Sequence, residues 1–224
     1  DSRAVVATTN DVLIGDLQSG CDASQWESLA GAASLIDTEA GIMIKEVAVT
    51  NNAVFLLLDD GSVYLLSPRA DMYIRELGSP QGSNIPRRLF PIHERQTNTT
   101  TNTTTNTNAE THECWYKVPL ADVVAIRAGC MHVMLLAANG SVAALGTISL
   151  GRLGKRSFDD ISTADWQRPA NSGMVMIACG RAHNLAADGD GHLWSCGRND
   201  FGQTGHDAGS ETIYLWTRVP WELD

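Results

Sequence analysis

The chain has 224 residues, 43% of them hydrophobic and 19% charged, the make-up of a folded protein rather than a disordered tail. Sixteen Lys and Arg against 26 Asp and Glu leave a net charge of −10, which disfavours indiscriminate binding to nucleic acid or to an anionic membrane. No apolar run approaches the ~20 residues that span a bilayer, no signal peptide is visible, and five cysteines without a C-x-x-C pair predict reduced thiols in a cytoplasmic or nuclear setting.

Residues 1–43 begin with AVVATTNDVLIG, which reads as the remnant of a repeat unit. Within them SQWESLAGAASLI, residues 24–36, has Ser24 and Glu27 at capping-box spacing and Trp26, Leu29, Ala30 and Ala33 at helical spacing, predicting a short helix. A weak repeat follows over 44–79: VAVTNNAVFLLLDDGSVYLLS has Thr50 and Ala53 where later copies have Gly and His, but keeps Gly61. Residues 80–114 read as a loop insertion, because the central TNTTTNTTTNTN has too little apolar surface to offset the entropy of ordering it.

Two well-formed repeats occupy 115–165 and 166–215, and 216–224 opens a further one. IRAGCMHVMLLAANGSVAALGTISLGRLG aligns without gaps with IACGRAHNLAADGDGHLWSCGRNDFGQTG, so that Gly129, His132, Gly140, Gly146, Gly151 and Gly154 each lie 51 residues before Gly180, His183, Gly191, Gly197, Gly202 and Gly205. Gly61 and Gly140 are 79 residues apart, the insertion absorbing the excess. Inside a unit, VVAIRAG, HVMLLA and SVAALG are short apolar strands, the last two joined by an N-G or D-G hairpin turn. The recurring Trp115-Tyr-Lys-Val-Pro119, Trp166-Gln-Arg-Pro169 and Trp216-Thr-Arg-Val-Pro220 supply a fourth strand. Four strands per unit of this period describe a β-propeller blade, hence an all-β chain of three to four blades.

The Gly-Gly doublet of Kelch blades and the Trp-Asp of WD40 blades are both missing from the sequence. ACGRAH with LWSCGRNDFGQTG, and its weaker twin RAGCMH with AALG and GRLG, resemble the repeat of the regulator of chromosome condensation family. The resemblance implies a seven-bladed propeller, which at this period needs roughly 360 residues. The chain is therefore expected to be a fragment, or a part completed by further blades from missing sequence or another polypeptide.

Enzyme signatures fail on spacing. GRLGKRS has Ser149 and Arg156 where a phosphate-binding loop needs Gly and Ser or Thr, and Asp188-Gly-Asp190-Gly-His192 lacks the later ligands of an EF-hand. His132 and His183 have no acidic or thiol partner within their own repeats, so each reads as an imidazole bonded across the Gly-x-x-His turn. No catalytic residue, cofactor or metal is expected. Gly129, His132, Gly140, Gly146, Gly180, His183, Gly191 and Gly197 are assigned to architecture, with a side chain at Gly129 or Gly180 expected to clash or to strain φ.

Binding is the remaining reading, since rigid scaffolds that vary their loops recognise macromolecules. The resemblance implies a protein-interaction platform, with guanine-nucleotide exchange on a Ran-like small GTPase as the alternative and chromatin binding third. The expected partner is another protein; a membrane is not, and nucleic acid only through a protein or chromatin. First and third strand connections of an up-and-down blade share one face. There Arg152, Lys155, Arg156, Arg181 and Arg198 are candidate partner contacts, whereas Asp59, Asp60, Asp188 and Asp190 make the opposite face acidic.

Overall fold

The structure, a computed structural model, describes residues 3–7, 11–16, 27–28, 41–67, 115–154, 173–207 and 209–220. They form fourteen strands in four antiparallel sheets, here called blades 1 to 4. Blade 1 contains β1 (Arg3–Ala7), β2 (Val12–Asp16) and β3 (Glu27–Ser28). Blade 2 contains β4 (Ile44–Val49), β5 (Val54–Leu58), β6 (Val63–Leu66) and β7 (Trp115–Lys117). Blade 3 contains β8 (Val123–Ala128), β9 (His132–Ala137) and β10 (Val142–Gly146), and blade 4 contains β11 (Met174–Cys179), β12 (His183–Asp188), β13 (Leu193–Arg198) and β14 (Thr212–Arg218).

The expected fourth strands exist at Trp115 and Trp216, and each closes the sheet before it. Trp115 pairs with Leu66, and Arg218 with Trp194. Sheets and sequence repeats are therefore out of phase: a repeat opens on the outermost strand of one blade and continues into the next. The insertion at 80–114 and the Trp166 segment lie outside the described residues.

Of the helix expected over 24–36 only Glu27 and Ser28 are among the described residues, and these pair with Ile14 and Leu13 as a short strand; the rest of the span lies outside them. An open strand edge offers a row of unpaired backbone groups, and satisfying them outweighs a weak local helical preference.

Each middle strand shows how far its blade is covered. β5 (VFLLL) and β9 (HVMLLA) are buried at every position, the unbroken apolar pattern of a strand packed on both faces. Phe55, Leu57 and Val63 of blade 2 meet Ile126, Val133 and Leu135 of blade 3 in one cluster. The other face of β5, with Val54, Leu56 and Leu58, packs with Val12 of blade 1, while Met134 and Leu136 of β9 pack with Met174, Ile177 and Ala186 of blade 4. At about 1.5–3 kcal/mol for each fully buried large apolar side chain, these inter-blade layers are the principal stabilising element. β12 (HNLAAD) alternates between buried and half-buried residues, because only one of its faces meets another blade among the described residues.

Backbone bonds fix the angle between neighbours. The Asn51 N–H donates to the Cys130 carbonyl (2.8 Å) and the Cys130 N–H to the Arg181 carbonyl (3.1 Å), residues at the same place in three successive first turns. At the far end of the blades the Val123 N–H reaches the Gly61 carbonyl (3.2 Å) and the Met174 N–H the Gly140 carbonyl (2.8 Å). A side-chain tie adds to the joint between blades 2 and 3, where Glu46 Oε2 accepts from the Ile126 N–H (2.9 Å) and from Arg127 Nη1 (2.8 Å).

Candidate partner-binding face

First turns and third connections lie together at one end of the blades. The Arg198 N–H, at the start of a third connection, donates to the carbonyl of Ala182 in the first turn (2.8 Å). The third connection of blade 3 reaches across to blade 4, where Asn184 Nδ2 donates to the Arg152 carbonyl (2.5 Å). Hairpins at 59–62, 138–141 and 189–192 occupy the other end.

The Gly-x-x-His turn is a stacked unit. Its backbone closes through Gly129 N–H to His132 C=O (2.8 Å), and through Gly180 N–H to His183 C=O (2.9 Å). The imidazole then folds back over the glycine. A Cβ on Gly129 or Gly180 would stand 2.1 Å from Cε1 of His132 or His183, and φ is left-handed at neither glycine. Of the two reasons anticipated for glycine here, contact applies and backbone strain does not. Left-handed φ is needed at the hairpin glycines, +79° at Gly140 and +86° at Gly191.

His132 is fully buried, and its Nε2 donates to Asn184 Oδ1 (2.6 Å) on the next blade rather than to backbone across its own turn. Its Nδ1 is buried without a hydrogen-bond partner. Burial, the largest effect, lowers the His132 pKa to about 4, despite the opposing bond to Asn184. His183 is only half-buried, and burial lowers its pKa as well. Burial likewise raises the Cys179 and Cys196 thiols to about 12, so neither is a thiolate nucleophile; Cys21 and Cys114 lie outside the described residues.

The third connection of blade 4 is held rigid from within by Asn199, which is fully buried. Its Nδ2 donates to the Asp207 (3.1 Å) and Ser210 (2.9 Å) carbonyls, and its Oδ1 accepts from the Thr204 N–H (3.1 Å) and hydroxyl. The loop presents Phe201, 83% exposed, with the Arg198 guanidinium 5.7 Å from its ring centroid. Arg198 also bonds Asp200 Oδ2 through Nε (2.9 Å) and Nη2, and that hydrogen bonding holds the Asp200 carboxyl below the usual range.

Of the five basic candidates, Arg181 is exposed and Arg198 is partly committed to Asp200. Arg152 is 8% exposed and its Nε is buried without a partner, so reversing its charge would disturb the fold before any interface. Lys155 and Arg156 lie outside the described residues. Phe201 and Asn199 are not among the sequence-based candidates, because the pattern NDFGQTG does not by itself reveal which of its side chains is buried and which exposed.

The acidic face is smaller than expected. Asp59, Asp60 and Asp190 are exposed, but the Asp188 side chain is fully buried. Its carboxylate accepts from the N–H groups of Asp190 (3.0 Å) and His192 (2.8 Å) and from Trp194 Nε1 (2.9 Å), and it faces His192 Nδ1 at 3.2 Å. Asp188, Asp190 and His192 bring ligand-type atoms within 4.8 Å of one another, yet the Asp188 oxygens are occupied in closing the hairpin.

Antiparallel sheets of three and four strands, packed face to face, with blades 2 to 4 joined by the same backbone bonds, define a β-propeller protein. A family model described as the regulator of chromosome condensation (RCC1) repeat matches residues 175–203. Protein RCC2 homolog of Danio rerio is 31% identical over 104 residues, 46% of this chain and 21% of that protein; Protein RCC2 of Homo sapiens is 28% identical over 103 residues, 46% and 20% respectively. Human WBSCR16 superposes over 99% of this chain and 51% of its own with a TM-score of 0.58 at 17% identity. Yeast RCC1 (Prp20), solved bound to Kap60, covers 97% and 63% with a TM-score of 0.44 at 15% identity. Residues 175–203 thus carry an RCC1-type repeat, the chain is similar to these repeat proteins, and the matched stretch spans about a fifth of the curated relatives.

Two outcomes follow from the turn geometry. Gly180→Val should lower stability by about 1–3 kcal/mol, and His183→Ala in the same chain should restore most of that loss, because the atoms nearest the added Cβ all belong to His183. Denaturant unfolding of the two single variants and the double variant reads this coupling; simple additivity would refute the stacked unit. His132 has its folded pKa depressed below the unfolded 6.5, so its contribution is complete above pH 6.5 and declines as the pH falls toward about 4. The decline is on the order of 3 kcal/mol at most, and it should flatten in His132→Asn when unfolding is measured between roughly pH 7.5 and roughly pH 4.5.

Proposed function

We propose that the chain is a protein-interaction platform whose partner meets the face of first turns and third connections. The observation that carries this reading is the 199–211 loop, which Asn199 holds rigid while Phe201 stands 83% exposed beside Arg198. An aromatic and an arginine on a preorganised loop combine large contact area with little ordering cost, the properties of interface hot spots. Leu150, the equivalent of Phe201 in blade 3, keeps 39% exposure although its loop is packed on blade 4, so the position remains accessible where blades adjoin. Arg181 extends the same face, and Lys155 and Arg156 belong to it by sequence position.

The partner is a protein rather than nucleic acid, in keeping with the net charge of −10. The RCC1-type repeats support such a platform. Exchange activity toward a Ran-like GTPase is the alternative the family permits, and no residue here is assigned to it.

Immobilised chain, a Phe201→Ala/Arg181→Glu variant and an Asp59→Lys/Asp60→Lys variant can be exposed to nuclear and cytoplasmic extracts, with retained proteins quantified by mass spectrometry. Proteins retained by the parent should be lost by the first variant and kept by the second; the reverse ranking overturns the choice of face. In parallel, Ran loaded with fluorescent GDP should release nucleotide at its intrinsic rate in the presence of the chain, and acceleration would favour exchange.

A further inference from the structure

The third connections of blades 3 and 4 occupy the same place in the repeat and differ in one chemical group. Their alignment sets Thr147 against Arg198, Ser149 against Asp200 and Arg152 against Gln203. Both loops close with the same turn, from Gly154 N–H to Gly151 C=O (3.0 Å) and from Gly205 N–H to Gly202 C=O (2.9 Å). In blade 4 a carboxylate ties the loop together. Asp200 Oδ2 accepts from Arg198 Nε (2.9 Å) and Nη2, and Oδ1 accepts from Gln203 Nε2 (3.1 Å). The Gln203 amide oxygen in turn accepts from the Phe201 N–H (2.8 Å).

Blade 3 keeps the donors and lacks the acceptor. Ser149 is exposed at the position of Asp200 and has no carboxylate. The two residues at the positions of the Asp200 donors are left over: Thr147 Oγ1 and Arg152 Nε are both buried without a hydrogen-bond partner. Arginine in place of glutamine enlarges the deficit. Arg152 is 8% exposed, holds its charge throughout the physiological pH range, and has no ion pair among the described residues. Burial lowers its pKa, the Cys130 thiol opposes that, and Arg181, a second cation, adds to it. A buried guanidinium without an anion is costly, because nothing replaces its lost hydration. The bond from Asn184 Nδ2 to the Arg152 carbonyl (2.5 Å) nevertheless fixes the residue against blade 4.

We propose that the third connection of blade 3 is a carboxylate-binding site, in which Arg152, with the Thr147 hydroxyl and the exposed Arg181, takes an Asp or Glu side chain of the protein partner, the group that blade 4 supplies from its own Asp200. The source of the carboxylate rests on the platform reading above, since this loop lies on the proposed partner face. A carboxylate is the acceptor the repeat itself uses for donors at these two positions, and its planar pair of oxygens matches the guanidinium fork. Burial of Arg152 favours a carboxylate carried on a side chain over a free anion, because the surrounding contact of a partner excludes water from the pair.

The site can be tested on the full chain without a partner. Arg152→Gln, which installs the residue of blade 4, should unfold at a higher temperature than the parent, because an unpaired buried charge is removed. Ser149→Asp should raise the melting temperature by about 3 °C, and most of that gain should vanish in the Arg152→Gln background. Sodium acetate, replacing chloride at constant ionic strength, should stabilise the parent and shift its Arg152 Nε–H resonance, and should do neither in Ser149→Asp, where the new carboxylate fills the site. No gain from Ser149→Asp, a gain indifferent to Arg152→Gln, or no acetate response in the parent would refute the site. The source is read separately, with the extracts described above: proteins retained by the parent should be lost by Ser149→Asp. Retention unaffected by Ser149→Asp would overturn the partner as the source while the acetate response upholds the site. A parent that retains no protein would instead overturn the platform reading, and that source with it.

Discussion

The joint between blades is the constraint on which everything else rests. A four-stranded sheet has two faces, and β5 and β9 are apolar on both, so neither blade 2 nor blade 3 could be stable with one face in water. Apolar packing alone would leave neighbouring sheets free to slide. Two backbone hydrogen bonds remove that freedom at the joints between blades 2 and 3 and between blades 3 and 4, one between successive first turns and one from a first strand to the preceding hairpin glycine. The compact Gly-x-x-His turn brings its backbone close enough for the inner bond, and Gly140 has no side chain to obstruct the outer one.

Because those bonds set both spacing and angle, the loops on the two ends inherit their positions from the repeat. On one end the connections are short hairpins whose polar groups are largely used internally, as Asp188 illustrates. On the other end the third connections are longer, and that of blade 3 packs on blade 4 through Gly151 and the Arg152 carbonyl. Asn199 makes the blade 4 connection rigid while leaving Phe201 outside. Recognition placed there gains the stiffness of the scaffold without disturbing its core.

Much of this architecture was legible in the sequence because its cause is local and repeated. Hairpin glycines with left-handed φ, apolar strands and a 51-residue period identify blades without reference to a partner. What remained hidden is non-local. The phase of the sheets depends on which edge Trp115 and Trp216 pair with, and period alone does not determine phase. The strand at Glu27–Ser28 owes its conformation to the edge of β2, which competes successfully with a helical pattern. Arg152 and Asp188 read as surface charges because local polarity cannot reveal the neighbouring blade or the hairpin that covers them. The bond from His132 joins residues 52 apart, and its meaning emerges only once both blades are in place.

Hydrogen exchange of individual backbone amides tests the joint most directly. The Asn51, Cys130, Val123 and Met174 N–H groups lie in turns or at strand starts, where an isolated sheet would exchange them rapidly. If blades are joined as described, all four exchange only with global unfolding, while the Arg181 N–H, their counterpart on the outer flank of blade 4, exchanges like a loop amide. Rapid exchange at Asn51 and Cys130, alongside protected amides within the strands of the same blades, would show that the sheets fold independently and would contradict the account.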